Sequence, residues 1–166
     1  MPFKIDEQVV YPAFGIGRVA ALVTKSFFEA ESQIYYEVTG DRSTVWVQVN
    51  ECAARGLRRL TRPDELAHFR DVVGGQPVSL NQDHRQRQVE LRGQFKLGTM
   101  QGLCEMVRDL SARSWLKPLN EMDSRALRMS RDAICEEWAA TENIPLPEAT
   151  AELAGLLLEG RNKFQG

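Results

Sequence analysis

Apolar and polar positions change rhythm part-way along the chain. Between residues 8 and 49 the apolar side chains come in short runs: Val9-Val10-Tyr11, Arg18 to Ser26, Ile34 to Val38 and Thr44 to Val49. Turn formers separate them at Pro12, Gly15 to Gly17, Glu29 to Ser32 and Gly40 to Ser43. Short β-branched and aromatic runs bounded by Gly, Pro, Asp and Ser predict four strands. Four strands with tight turns in about 50 residues predict a small, strongly bent barrel of the SH3 or Tudor kind. Gly15 and Gly17 belong to the first turn on this reading. No helix follows them, so they do not form the phosphate turn of a dinucleotide site.

Beyond the strands the period lengthens. Thr61 is placed to cap a short helix whose first turn holds Pro63 and Asp64 and whose apolar face is Leu66, Phe69, Val72 and Val73. Gly74-Gly75-Gln76-Pro77 is the clearest linker, which divides the chain into domains 1–74 and 75–166. After it, a helix is expected near Gln82–Lys96. From Thr99, the positions Met100, Leu103, Cys104, Val107 and Leu110 keep the i, i+3, i+4, i+7 rhythm until Lys117-Pro118-Leu119-Asn120 stops it. Asn120 caps the next helix with Asp123 at the box position, and Met122, Ala126, Met129, Ala133, Ile134 and Trp138 face inward. A last helix from about Pro147 uses Ala149, Leu153, Leu156 and Leu157. The expected class is α+β: a small β-barrel domain followed by an all-α bundle of four or five helices.

Charge sharpens the picture of the second half. A net charge of −2 argues against a general nucleic-acid coat. Yet residues 79–117 carry seven basic side chains against four acidic ones, and Arg125, Arg128 and Arg131 follow at three-residue steps. That spacing puts the three near one helix face. A local basic face on a near-neutral chain suits weak, assisted contact with DNA, or simple solvation of a helix. The three cysteines and two histidines show no zinc spacing, so no metal and no cofactor is expected. Reduced thiols, no signal-peptide pattern and no run of about 18 apolar residues predict a cytoplasmic protein that does not enter a membrane.

The stretch Val9-Val10-Tyr11-Pro12-Ala13-Phe14-Gly15-Ile16-Gly17-Arg18-Val19 carries the most specific signal. It resembles the signature of the CarD/CdnL family of bacterial transcription regulators, whose N-terminal module is shared with the transcription-repair coupling factor. The resemblance continues at Thr44 to Val49, at Gly56-Leu57-Arg58 and at Met106-Val107-Arg108-Asp109-Leu110. It implies a first domain that docks on the RNA polymerase β subunit by strand addition, and a second that touches promoter DNA near the melted region. The implied mechanism is stabilisation of the open complex, with a weak minor-groove and backbone contact that is not sequence-specific.

Carried onto this chain, the resemblance assigns polymerase binding to Lys25, Trp46 and Gln48. Strand parity turns Val45, Val47 and Val49 inward and Trp46 and Gln48 outward. An outward Trp46 is either covered by the helical half or presented to a partner. Family members often carry a basic residue at Trp46 and a proline at Gln48, so this chain departs from the pattern there. The DNA-binding set is His84, Arg85, Arg87, Arg125 and Arg128. The family's wedge tryptophan falls on His84, a smaller and more polar ring. Trp115 and Trp138 sit at core spacing instead. An alternative follows from His84: a polymerase-docking module that lacks the wedge and recruits, or competes with, another factor.

An enzyme is not expected. His68 lies near Asp64 and Glu65, and Asp83 precedes His84, but neither pair has a Ser or Cys nucleophile in a recognisable setting. Cys104 falls on the apolar face of its helix. No small-molecule substrate is implied.

Overall fold

The computed structural model of the chain describes residues 3–12, 14–26 and 31–164. These belong to two compact units, Met1–Leu60 and Thr61–Gly166. The expected boundary at residue 74 differs because the short helix after Thr61 joins the helical core, as shown below.

The first unit is one antiparallel sheet: β1 (Gln8–Tyr11), β2 (Gly15–Lys25), β3 (Gln33–Thr39), β4 (Thr44–Gln48) and β5 (Arg58–Arg59). The spatial order is β4-β3-β2-β1-β5. Strands β4 and β5 stand at the edges of the sheet and do not pair with each other among the described residues, so the sheet is not closed into a barrel. The four expected strands are present. The fifth, Arg58–Arg59, follows Gly56-Leu57 and is a two-residue pairing with Val10 and Val9, too short to show a period.

The two glycines near the first turn are strand residues instead. Gly15 pairs with Tyr11 and has φ 102°, a conformation that side chains resist. Gly17 pairs with Val9, and a Cβ there would stand 2.7 Å from Val38 Cγ1 and 3.0 Å from the Thr39 carbonyl oxygen. Ala13, inside the signature, and Glu29 and Ala30, in the second expected turn, lie outside the described residues. Val9, Val19, Tyr36, Val38 and Val47 form the buried centre of the unit, joined by Phe3, Cys52 and Leu57. The Phe3 and Tyr36 rings meet edge to face at 5.5 Å.

The second unit holds α1 (Leu66–Val73), α2 (His84–Leu97), α3 (Met100–Leu116), α4 (Glu121–Glu142) and α5 (Leu146–Lys163). Leu66, Phe69 and Val73 of α1 pack with Leu103, Val107 and Leu110 of α3 and Ile134 and Trp138 of α4 in one core. This packing is what draws α1 into the helical unit. Short polar caps start three of the helices. Asp83, Thr99 and Asn120 accept from the backbone N–H groups of Gln86, Gly102 and Asp123.

Three local expectations are corrected. Thr61 caps no helix: it is buried, and both its N–H and hydroxyl donate to the Glu137 carboxylate, at 2.9 and 2.5 Å. Arg62 takes the cap position of the turn Pro63–Glu65. Met122 and Met129 are exposed, because α4 buries the narrower stripe Ser130, Ile134, Glu137 and Trp138. Trp138 and Cys104 are fully buried, but Trp115 is only half-buried, edge-on to Phe164 at 5.2 Å. Among the described residues, no helix is long and apolar enough to cross a membrane.

Candidate functional site

In the sheet unit the candidate surface is the β4 edge. One flank of β4 pairs with β3 through Thr44, Val45, Trp46, Val47 and Gln48. The other flank pairs with no strand among the described residues. A free antiparallel edge presents backbone N–H and C=O groups that an incoming strand can satisfy. Parity holds at Val47, which is buried, and at Trp46, which is 36% exposed. Val45 and Val49 are partly buried and pack against the same core, although Val49 already lies in the 3-10 segment Val49–Glu51.

The register brings the three expected residues to one face. Trp46 lies opposite Glu37, Gln48 opposite Tyr35, and Lys25 opposite Gln33. Lys25 Nζ sits 3.7 Å from the centroid of the Trp46 ring. Such a contact contributes about 0.5–1 kcal/mol at an exposed site and holds the indole in one orientation. Gln48 Nε2 donates to Gln33 Oε1 at 3.2 Å.

In the helical unit the arginines separate into two sets. Arg87 is 2% exposed. Its Nε donates to Asp123 Oδ1 at 3.1 Å, and its Nη1 to the carbonyls of Asn81 and Gln82 at 3.0 and 3.4 Å. Gln88 Nε2 donates to the same Oδ1 at 2.7 Å, while Arg113 Nε stands 3.5 Å from Oδ2. A guanidinium held this way cannot reach a phosphate, so the expected DNA contact at Arg87 is replaced by a buried ion pair joining α2 to α4. Arg70 of α1 is likewise held, by Glu142 of α4 and Glu152 of α5.

The other set is outward. Arg85 on α2, and Arg125 and Arg128 on α4, are exposed and meet no carboxylate among the described residues. Arg92 and Lys96 share this condition. With Arg85 they stand at i, i+7 and i+11, one face of α2. That spacing makes the face legible in the sequence. His84 opens α2, exposed, with Nδ1 3.2 Å from Arg87 Nη2 and 3.3 Å from Asn120 Nδ2.

Burial pushes the Cys135 thiol up, away from a reactive thiolate. Among the described residues, no group of three His, Cys, Asp or Glu side chains is placed to hold a metal ion.

No protein-family model matches the chain. Over 143 residues it is 24% identical to "Putative transcription factor YdeB" of Bacillus subtilis (strain 168), covering 86% of this chain and 94% of that protein. An alignment of that length exceeds either compact unit and so includes parts of both.

Proposed function

We propose that this chain is a CarD-like transcription regulator. Its sheet unit docks on the RNA polymerase β subunit through the β4 edge, with Trp46, Lys25 and Gln48 beside it. Its helical unit touches promoter DNA through Arg85, Arg125 and Arg128, with His84 alongside, and stabilises the open complex. The observation that carries this reading is the separation of the cations. The more buried Arg87 and Arg70 face acids, while exposed cations without a carboxylate among the described residues stand on α2 (Arg85, Arg92, Lys96) and α4 (Arg125, Arg128), as well as at Lys117 and on α5 (Arg161, Lys163). The similarity to a protein described as a transcription factor supports the same direction.

Physically the mechanism is avidity. A few exposed cations on a chain of net charge −2 give weak contact with DNA. Docking on polymerase would supply the effective concentration that such a contact lacks. The readout would be of backbone and deformability, with no base-specific operator. No catalytic step, cofactor or small-molecule substrate enters, and the protein would work in the cytoplasm at the nucleoid.

A second reading is favoured by Arg87. Its burial reduces the DNA-facing charge, as expected of a docking module that recruits or competes with another factor. The lifetime of competitor-challenged open promoter complexes separates the two. The regulator lengthens that lifetime, and Trp46→Ala and Arg85→Glu/Arg128→Glu each abolish the effect. The arginine variant still binds the isolated β-subunit lobe in calorimetry. A wild-type chain that binds the lobe yet leaves the lifetime unchanged fits the second reading.

A further inference from the structure

The two nitrogens of His84 are in different situations. Nδ1 is approached by Arg87 Nη2 at 3.2 Å and by Asn120 Nδ2 at 3.3 Å. A guanidinium has no lone pair to offer, so Arg87 can only donate. Asn120 is equally constrained, because its Oδ1 accepts the backbone N–H of Asp123 at 2.8 Å. Turning the amide over would aim an NH2 at that N–H. Its NH2 therefore faces His84. Two donors share one nitrogen, so Nδ1 carries the lone pair and the ring proton of the neutral imidazole sits on Nε2.

Arg87 has no freedom to leave. Its Nε is held by Asp123 and its Nη1 by the carbonyls of Asn81 and Gln82, which leaves Nη2 for His84. His84 itself is exposed, and nothing engages Nε2 among the described residues. The proton is thus carried on the outward nitrogen, next to exposed Arg85.

We propose that Arg87 and Asn120 preset the tautomer of His84, so that Nε2–H acts as an oriented, uncharged donor to a phosphate oxygen of duplex DNA. This rests on the DNA-contacting reading above and gives His84 a role other than a wedge. Arg87, Asn120 and Asp123 are positioning residues on this account. A neutral donor adds affinity without releasing a counterion, whereas Arg85 releases one when it meets a phosphate.

The test has two arms on the full chain. Long-range proton–nitrogen NMR of histidine-labelled protein, at a pH where the ring is neutral, should show His84 as a single Nε2–H tautomer. Asn120→Asp keeps a good cap but replaces the donor with an acceptor, and should shift His84 towards Nδ1–H. In binding to a short duplex across a salt series, His84→Ala should lower affinity about three- to tenfold, the range of one hydrogen bond. It should leave the slope of log K against log salt unchanged. Arg85→Ala should lower that slope by about one.

An exchanging mixture or an Nδ1–H ring in the wild type overturns the inference alone. So does a wild type that binds DNA as well as His84→Ala, or a slope that falls in that variant. Failure of the wild type to bind duplex even at low salt overturns both this role and the DNA-contacting reading. The NMR arm does not depend on DNA, so the two failures are distinguishable.

Discussion

In the sheet unit, Glu7 meets Arg59 at 2.7 Å and Glu51 meets Arg55 at 2.8 Å, with both arginine side chains more than half exposed. In the helical unit, Asp123 meets Arg87 at 3.1 Å with both side chains almost wholly buried. The sheet unit therefore rests on apolar packing around Tyr36 and Val38, and its ion pairs are surface contacts of small value. The helical unit has taken charge inside and depends on its partners. Removing one member of such a pair leaves the other desolvated and uncompensated. Each unit thus has a different weak point.

The largest test of that contrast is Asp123→Ala. It strands the Arg87 guanidinium, leaves Gln88 without its acceptor and takes the counter-charge from Arg113. The expected cost is about 3–5 kcal/mol. The three indoles make the readout local, since Trp46 reports the sheet unit and Trp115 and Trp138 report the helical one. In a urea series followed by indole N–H signals, those of Trp115 and Trp138 should disappear at much lower urea than in the wild type. A loss below about 1 kcal/mol would place the pair with the surface contacts and remove the contrast.

Packing is tested by Gly17→Ala in the sheet unit. Its Cβ would meet Val38 Cγ1 at 2.7 Å, inside van der Waals contact, with the Thr39 carbonyl oxygen at 3.0 Å behind it. A valine branch cannot swing aside as a lysine tip can, so β2 or β3 must shift. Overpacking of this kind costs about 1–3 kcal/mol. The Trp46 indole should report it. An unchanged transition would mean the β2–β3 pairing gives way easily, and that the apolar centre is looser than its burial implies.

These two positions also show what could be read from the sequence and what could not. The strands and helices were legible because their periods of 2 and 3.6 are written in the apolar positions themselves. Asn120 was legible as a cap because capping is a local act. Gly17 looked like a turn residue because a glycine lacks a side chain whatever its reason. Only the position of Val38, 21 residues away, shows that close packing is the reason here. Arg87 looked like a phosphate ligand because Asp123, its partner, is 36 residues distant on another helix. Thr61 was misread in the same way, since its acceptor Glu137 lies 76 residues on. Trp46 was legible because parity needs only its neighbours on one strand.

The Thr61 contact ranks next in expected effect. Glu137→Gln keeps one carbonyl oxygen for the Thr61 donors but removes the charge that strengthens both hydrogen bonds. About 1–2 kcal/mol should be lost, within the range for hydrogen bonds to a charged acceptor. The Trp138 indole, one residue from the change, should move in the folded spectrum. No loss would mean that a neutral acceptor serves Thr61 equally well, and burial of charge would then matter at Asp123 alone.

The smallest effect on stability, and the sharpest for function, belongs to Arg128. It lies on α4 like Asp123, but it is exposed and meets no carboxylate among the described residues. A cation without a partner has nothing to lose on truncation, so Arg128→Ala should leave the unfolding midpoint unchanged. If it faces DNA, however, one counterion fewer is released, and the slope of log K against log salt falls by about 0.9. Arg87→Ala should do the reverse. Because Arg87 is committed to Asp123, its removal damages the helical unit directly and changes DNA binding through lost structure. Should Arg128→Ala unfold more easily, the outward arginines would be part of the scaffold, and exposure would no longer distinguish binding charge from structural charge. Should it leave both midpoint and slope unchanged, α4 would fall outside the DNA contact, and α2 with Arg85, Arg92 and Lys96 would have to carry it.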